Sequence, residues 1–316
     1  MSTDEAIPSE RVASELVARA LTRAPVACRR FTTGNHHYVY EAVFRDGTSV
    51  VVRIARPSSR LAMVGAAHLS HQLRPRGVPL PRILAEDLSA ETPWLLLERL
   101  PGTDLAYVMR DLPEAALDRI AAAVVHAQVI TSGTGSSGRY GYAVRPDDAP
   151  YARWRDVLLA NVSRSRTRIA ESRLFDNALP DEVEAKIAAL DDELDAIHAT
   201  PFLHDTTTKN VIVTPEGQFS GIVDVDDLCF GDPRYPAALT LAAMLAYGGP
   251  QHYVASWMRQ AGHADDAVFR LYVAVFLLDL MSEHGHDFNG NQSATSPDQR
   301  GALLQAFRRE MDSLRP

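Results

Sequence analysis

Cysteine is nearly missing from this chain of 316 residues: only Cys28 and Cys229 are present, with no CxxC spacing. That argues against a disulfide framework and against a sulfur-ligated zinc module. A basic surplus is missing too. The formal net charge is −8, whereas a nucleic-acid surface needs clustered lysine and arginine, so no nucleic-acid partner is expected. The balance suits a cationic small molecule, or simply a solvated acidic surface. Long apolar runs are also lacking. The most apolar stretch, residues 237–246, is too short to span a bilayer, and no membrane partner is expected. The opening Met-Ser-Thr-Asp-Glu-Ala is acidic and polar, unlike a secretory signal, which makes a cytoplasmic location the expectation. No internal repeat and no extended low-complexity tract interrupts the chain. Its length allows two sub-domains with a sizeable core.

What is present concentrates in residues 202–233, FLHDTTTKNVIVTPEGQFSGIVDVDDLCFGDP. Two apolar, β-branched runs, 211–214 and 219–223, flank Pro215-Glu216-Gly217-Gln218, a pattern that predicts a β-hairpin with a four-residue loop. Pairing Thr214 with Phe219 sets Asn210 opposite Val223 and Lys209 opposite Asp224. Asp205 lies on the loop entering the hairpin and can curl back to the same end. Asp205, Asn210, Asp224 and Asp226 then form an oxygen-rich, negatively charged cluster. Crowded carboxylates are costly unless a cation joins them, and hard oxygen donors suit Mg²⁺ bound together with phosphates. Asp-x4-Asn or Asp-x-Asp alone is common; their joint spacing around a hairpin, followed by Gly231-Asp232-Pro233, is far more specific.

This stretch resembles the aminoglycoside phosphotransferase and choline kinase-like group of small-molecule kinases, relatives of the protein kinases. Their pattern is roughly His-Gly-Asp-x4-Asn, a hairpin, Ile-Asp-[Trp/Phe]-[Glu/Asp], and then Gly-Asp-Pro. Asp205 and Asn210 match the first block, Ile222-Val223-Asp224-Val225-Asp226 the second, and Gly231-Asp232-Pro233 the third. The resemblance implies that Asp205 is the catalytic base orienting an acceptor hydroxyl. It implies that Asn210 and Asp224 hold Mg²⁺ against the phosphates of ATP. The acceptor would be a small hydroxylated molecule, an aminoglycoside-like antibiotic or another amino alcohol or sugar. The match is not complete. Leu203-His204 stands where the family has His-Gly, Gly65-Ala66-Ala67-His68 lacks the acid that pairs with the phosphate-gripping cation, and Pro236 replaces an Asp.

Along the chain, Ser9 can cap a helix through Val12, Leu16, Val17 and Leu21. Strands are predicted over 27–33, 38–44, 49–55 and 94–97, with a turn at Asp46-Gly47 and a helix over 61–73. From Glu98-Arg99-Leu100-Pro101-Gly102 onward the periodicity is mostly helical, broken by a polar loop over 132–150. The expected fold class is α+β, a two-lobed protein-kinase-like arrangement. Residues 1–98 would form an N-terminal antiparallel β-sheet lobe that covers the nucleotide. Residues 99–316 would form a larger, mainly helical lobe with the catalytic loop, the metal site and the acceptor site. A kinase-like architecture would put ATP in the cleft between them.

Other candidates follow from position. Arg53 is a charge in a strand fit for burial; it is either an edge-strand arginine facing solvent or, as the resemblance implies, a grip on nucleotide phosphates. Gly34 and Asn35 lie where such kinases cover the triphosphate. Glu98 and Leu100 occupy the hinge, where backbone groups read adenine. Lys209 could lie against the transferring phosphate or pair with Asp224, and Asp226 could touch a metal or orient Asp224. Asp279 and Glu283 fall four apart on one helical face, where the family's acidic residues bind acceptor amines. Glu283-His284-Gly285-His286-Asp287 reads as a polar loop after a helix rather than a metal site. His126 reads as a core or lobe-interface histidine, and Trp154 and Trp257 as packing. A nucleotide-binding pseudokinase or scaffold is the alternative, motivated by Leu203-His204 and the missing acid. A nucleotide-sugar glycosyltransferase using Asp224 and Asp226 ranks last, since it leaves Asp205 and Asn210 unused.

Overall fold

The structure, a computed structural model, describes residues 7–31, 37–288, 291–292 and 296–314. The chain divides into two compact units, one of Met1–Pro101 with Asp287–Asn291, the other of Gly102–His286 with Gln292–Pro316.

The first unit begins with α1 (Glu10–Leu21), capped as expected by the Ser9 hydroxyl, which accepts the Val12 N–H. Five strands follow: β1 (Ala27–Arg30), β2 (Tyr38–Val43), β3 (Ser49–Ile54), β4 (Ile83–Asp87) and β5 (Trp94–Glu98), with α2 (Arg60–Leu73) between β3 and β4. The sheet order is β1-β2-β3-β5-β4 with antiparallel pairing throughout. Alternation along β2 sends Tyr38, Tyr40 and Ala42 inward, where they meet Ala13 and Val17 of α1 together with Val52, Ile54 and Leu96. The other face carries Leu95 against Met63, Ala66 and Ala67 of α2. The tight turn between β2 and β3 is closed by the Asp46 carboxylate, which accepts the Thr48 N–H at 3.1 Å and hydroxyl at 2.6 Å. β4 was hidden in the sequence behind the proline-rich connector at 77–81.

The second unit opens with β6 (Thr103–Asp104), α3 (Leu105–Val108), α4 (Glu114–Ser132), β7 (Gly141–Ala143), α5 (Trp154–Ser172), α6 (Leu179–Ala189) and α7 (Asp191–Asp195). Then come β8 (Thr200–Phe202), β9 (Val211–Val213), β10 (Phe219–Ile222), β11 (Leu228–Gly231), α8 (Tyr235–Tyr247), α9 (His252–Ala261), α10 (Ala267–Glu283) and α11 (Pro297–Ser313). Two three-stranded sheets, β10-β9-β6 and β7-β11-β8, sit among the helices. α10 is apolar nearly all round and buried along its length, as a helix at the centre of a core must be. Trp154 and Trp257 are both buried in that core. An antiparallel N-terminal sheet followed by a mainly helical remainder is the expected α+β, protein-kinase-like class. Among the described residues no helix is long and apolar enough to cross a membrane.

Candidate active site around the β9–β10 hairpin

The hairpin forms, but with a shifted register. The Gly217 N–H donates to the Thr214 carbonyl at 2.9 Å, and the Thr214 N–H to the Gln218 carbonyl at 2.8 Å. Pro215, Glu216 and Gly217 therefore make a three-residue loop, with Gly217 at φ +73° in the left-handed position that such loops demand. Phe219 faces Val213, not Thr214 as the sequence suggested. An irregularity between Phe219 and Gly221 then restores the count, so Ile222 faces Val211 and the Val223 N–H donates to the Asn210 carbonyl at 2.9 Å. The two register errors cancel. Asn210 and Val223 meet at the open end, with Asp224 next along the chain.

Asp224 has φ +63° and is exposed. A left-handed backbone at a residue other than glycine is sparsely populated, and such conformations cluster at functional positions. The Asp205–Asn210 loop is closed by the Asn210 side chain, whose Nδ2 donates to the Asp205 carbonyl at 3.0 Å, and by the Asn210 N–H on the Thr207 carbonyl at 2.9 Å. Spending the amide nitrogen this way fixes the amide's orientation and leaves its oxygen as the acceptor end. The Thr207 hydroxyl donates to Asp205 Oδ1 at 2.9 Å.

Two residues that the sequence did not single out brace this loop. The side chain of Gln128, on α4, grips Leu203 in both directions. Its Nε2 donates to the Leu203 carbonyl at 2.8 Å and to the Thr206 hydroxyl at 3.1 Å, and its Oε1 accepts the Leu203 N–H at 2.9 Å. The Thr208 carbonyl accepts the Ala106 N–H of α3 at 3.0 Å. His126, expected in the core or at a lobe interface, is exposed, and Gln128 takes the buried position two residues on.

His204 lies 3.1 Å from Asp227 through Nδ1, and its ring stands edge-on to Tyr142 at 5.0 Å. Burial disfavours its charged form, but Asp227, Asp205 and Asp226 outweigh that and hold its pKa above the ordinary histidine value. Lys209 Nζ sits 5.8 Å above the Tyr247 ring. Asp279 Oδ1 accepts from Arg164 Nη2 at 3.1 Å and Ser165 Oγ at 3.2 Å, with Arg168 Nη1 at 3.8 Å. Burial and Asp279 push the Glu283 carboxyl up to about 7, against the pull of Arg168, Lys209 and Arg164.

Gly231-Asp232-Pro233 is a packing device. Asp232 is buried and accepts from the Arg234 backbone N–H at 2.9 Å, from its guanidinium at 2.7–3.1 Å, and from the Tyr272 hydroxyl at 2.9 Å. Trp154 Nε1 donates in turn to that hydroxyl at 2.7 Å.

In the first unit, Arg53 is buried at mid-sheet, facing Val39 and Leu95 across the strands. β3 is the central strand, so the solvent-facing edge reading is excluded. The Glu98 N–H is engaged by the Arg82 carbonyl at 2.8 Å, and the Leu100 carbonyl accepts Arg99 Nη1 at 2.6 Å. Gly34 and Asn35 lie outside the described residues. Among the described residues no group of three or more His, Cys, Asp or Glu side chains is arranged to hold a metal ion. His286 Nε2 lies 3.0 Å from the Arg168 carbonyl.

Comparison with known proteins places this geometry. The chain is 28% identical over 177 residues to hygromycin-B 4-O-kinase of Escherichia coli. That match spans 51% of this chain and 47%, about half, of the relative's length. A crystal structure of aminoglycoside phosphotransferase APH(4)-Ia aligns over 98% of this chain and 100% of its own, with a TM-score of 0.68 at 16% identity. The GDP complex of wild-type aminoglycoside 2'-phosphotransferase-IIIa aligns over 97% and 99%, with a TM-score of 0.68 at 14% identity. At such identities the likeness shows the fold. A family model described as the phosphotransferase enzyme family matches residues 27–272, well over half of the chain, and the chain belongs to that family.

Proposed function

We propose that this protein is an ATP- and Mg²⁺-dependent O-phosphotransferase acting on a hydroxyl of a small molecule. The observation that carries the reading is the clasp of the Asn210 side chain on the Asp205 carbonyl, with Val223 paired to Asn210 and the left-handed Asp224 next along the chain. Asp205 is the base. With Thr207 donating to Oδ1, its other oxygen is directed to the acceptor hydroxyl, whose proton it orients and accepts. The donor set fits Mg²⁺, which favours one or two carboxylate or amide oxygens completed by phosphates and water over an all-protein cage. Held by Asn210 and Asp224, the ion would offset charge spreading over the moving phosphoryl group.

Arg53 is assigned to the nucleotide phosphates, with Gly34 and Asn35 covering them, and the Glu98 carbonyl and Leu100 N–H to the adenine edge. Asp226 serves as an orienting neighbour of Asp224, and Lys209, on the catalytic loop itself, is assigned to the transferring phosphate. The acceptor class suggested by the relatives is an aminoglycoside: hygromycin B is the compound in the name of the Escherichia coli relative and in a ternary complex of a structural neighbour with AMP-PNP. The scaffold alternative loses one of its motives, because Gln128 braces the loop that Leu203-His204 had put in question.

The test is an ADP-release assay on Asp205→Asn. The variant should fold, bind nucleotide and lose transfer by on the order of 10²–10⁴. Turnover near the wild-type rate would overturn the assignment of the base.

A further inference from the structure

Two antiparallel ladders bracket the segments that carry the proposed base and the proposed metal residues. On one side β8 pairs with β11: Thr200 faces Gly231, Pro201 faces Phe230 and Phe202 faces Cys229. On the other side β9 pairs with β10, ending with Val211 facing Ile222 and the Val223 N–H on the Asn210 carbonyl at 2.9 Å. Residues 203–210 and 223–228 run between the two ladders. Extending the β8–β11 register past Phe202 and Cys229 sets His204 opposite Asp227, with both side chains on one face. The structure makes that contact: His204 Nδ1 lies 3.1 Å from Asp227 Oδ1. The approach is off the line of a ring N–H, so it is an ion pair more than a directed hydrogen bond.

The segments are thus joined at both ends, and the two reacting groups sit at different joins. Asp224 follows Val223 at the hairpin end, whereas Asp205 follows His204 at the other. The Leu203 N–H and carbonyl are both taken by Gln128, so beyond Phe202 the join passes from backbone to side chains. The His204 ring is backed from a third strand: Tyr142, which faces Cys229 across β7 and β11, stands edge-on to it at 5.0 Å. Asp205 and Asp226 act on the ring in the same sense as Asp227. The paired side chains are 29% and 34% exposed, and ion pairs this open to water add little to stability. What such a contact supplies is the position of its neighbours. His204 stands where the family has glycine, and Asp227 lies just past the second matched block, so neither has a part in the assignments above.

We propose that His204 and Asp227 are a positioning pair for the transfer reaction. They close the site at the end opposite the hairpin and hold the Asp205 carboxylate in line with the acceptor hydroxyl, acting through Asp205 rather than on the substrate. This rests on the phosphotransferase reading above. It concerns the base and not the metal, because Asn210 and Asp224 belong to the join that the hairpin itself makes.

The experiment compares His204→Leu, Asp227→Asn and the double variant with wild type, each as the intact protein. ADP release from ATP and Mg²⁺ is followed with hygromycin B and with water alone as acceptor, and Mg²⁺-dependent AMP-PNP binding is read by calorimetry. Each single variant should lower kcat by about tenfold to a hundredfold, the loss expected when a reacting group shifts by up to an ångström. The KM for ATP and the AMP-PNP affinity should stay within about threefold, since an interaction felt only in the transition state leaves ground-state binding alone. Tm should fall by no more than about 4 °C. The double variant should be no slower than the worse single, because the two residues act as one unit. Asp227→Glu, which keeps the charge on a longer arm, should recover part of the rate. A kcat within about twofold of wild type in the single variants, losses that multiply in the double variant, or an AMP-PNP affinity that falls as far as kcat would overturn the proposal. A wild-type protein with no Mg²⁺-dependent ADP release, even to water, would sink the kinase reading instead. Amide hydrogen exchange then decides for the pair alone: it holds the loop if residues 203–208 exchange faster in Asp227→Asn while residues 211–222 do not change, and otherwise it does not.

Discussion

Glu283 closes α10 beside Asp279, and its carboxyl is held at about 7 by burial first and by the Asp279 charge second. For an acid whose folded-state pKa is raised from 4.5, the folded protein keeps a proton that the unfolded chain has already released. Between pH 4.5 and about 7 the native state therefore binds more protons, and this group's contribution falls as pH rises through that window. Glu283→Gln mimics the protonated form. It should be near-neutral at pH 5 and stabilising at pH 8, by on the order of 2–3 kcal/mol at most. Urea midpoints at the two pH values check this, and a variant equally destabilised at both would show that the carboxyl is charged and well paired throughout. Gln128 gives a second expectation at this scale. Leucine there keeps the volume but strands the buried Leu203 N–H and carbonyl. Each such orphan costs about 1–3 kcal/mol, so Gln128→Leu should lose roughly 2–4 kcal/mol by chemical denaturation. A loss below about 1 kcal/mol would mean that the loop finds other partners.

At the level of elements, the join of β11 to α8 is fixed by crowding. A Cβ built on Gly231 would stand 2.1 Å from Trp154 Cζ3, and Trp154 cannot retreat, being buried and tied through Tyr272 to Asp232. Gly231→Ala should therefore cost about 3 kcal/mol or more, at the upper end for overpacking, and lower Tm by several degrees. A variant melting within a degree of wild type would mean that this join is looser than its contacts imply. The same elements show what the sequence could convey. The hairpin was legible because its signal is local: β-branched runs, Pro215 and Gly217 in the loop, and alternation. Even its register error cancelled, since the extra residue near Ser220 offset the shorter loop. Gln128 was not legible as the brace of the catalytic loop, nor Arg164 and Arg168 as partners of Asp279. A glutamine in an apolar helix and two arginines four apart mean nothing until α4 is laid against the 203–206 loop and α5 against α10, and those contacts come from tertiary packing. Arg53 was half legible. The sequence marked it as anomalous, but only the strand order placed β3 at the centre of its sheet and removed the solvent-facing alternative.

For the whole molecule, overall charge proved a poor guide to local charge. A chain of net −8 still gathers two guanidiniums, those of Arg164 and Arg168, on one carboxylate oxygen, Asp279 Oδ1. The same distinction bears on the nucleotide. On the proposed reading ATP is an anion approaching an acidic protein, and carboxylates such as Asp205 and Asp224 near the open end of the hairpin would repel its phosphates unless a divalent cation joins the two. Binding should therefore depend on Mg²⁺ more steeply than it would for a site lined by lysines. A ligand that binds only the native state stabilises it by about 2.7 kcal/mol at a hundred times its Kd. With roughly 2–4 °C per kcal/mol for a protein of 150–250 residues, and less for a longer chain, saturating ATP with Mg²⁺ should raise Tm by several degrees. ATP with a chelator should raise it by much less. Asp224→Asn tests where the metal acts, since asparagine tolerates the left-handed backbone that Asp224 adopts. The unliganded variant should keep its Tm while the Mg²⁺-dependent increment disappears. An increment that persists in full would move the metal away from Asp224 and dissolve the cluster that the hairpin brings together.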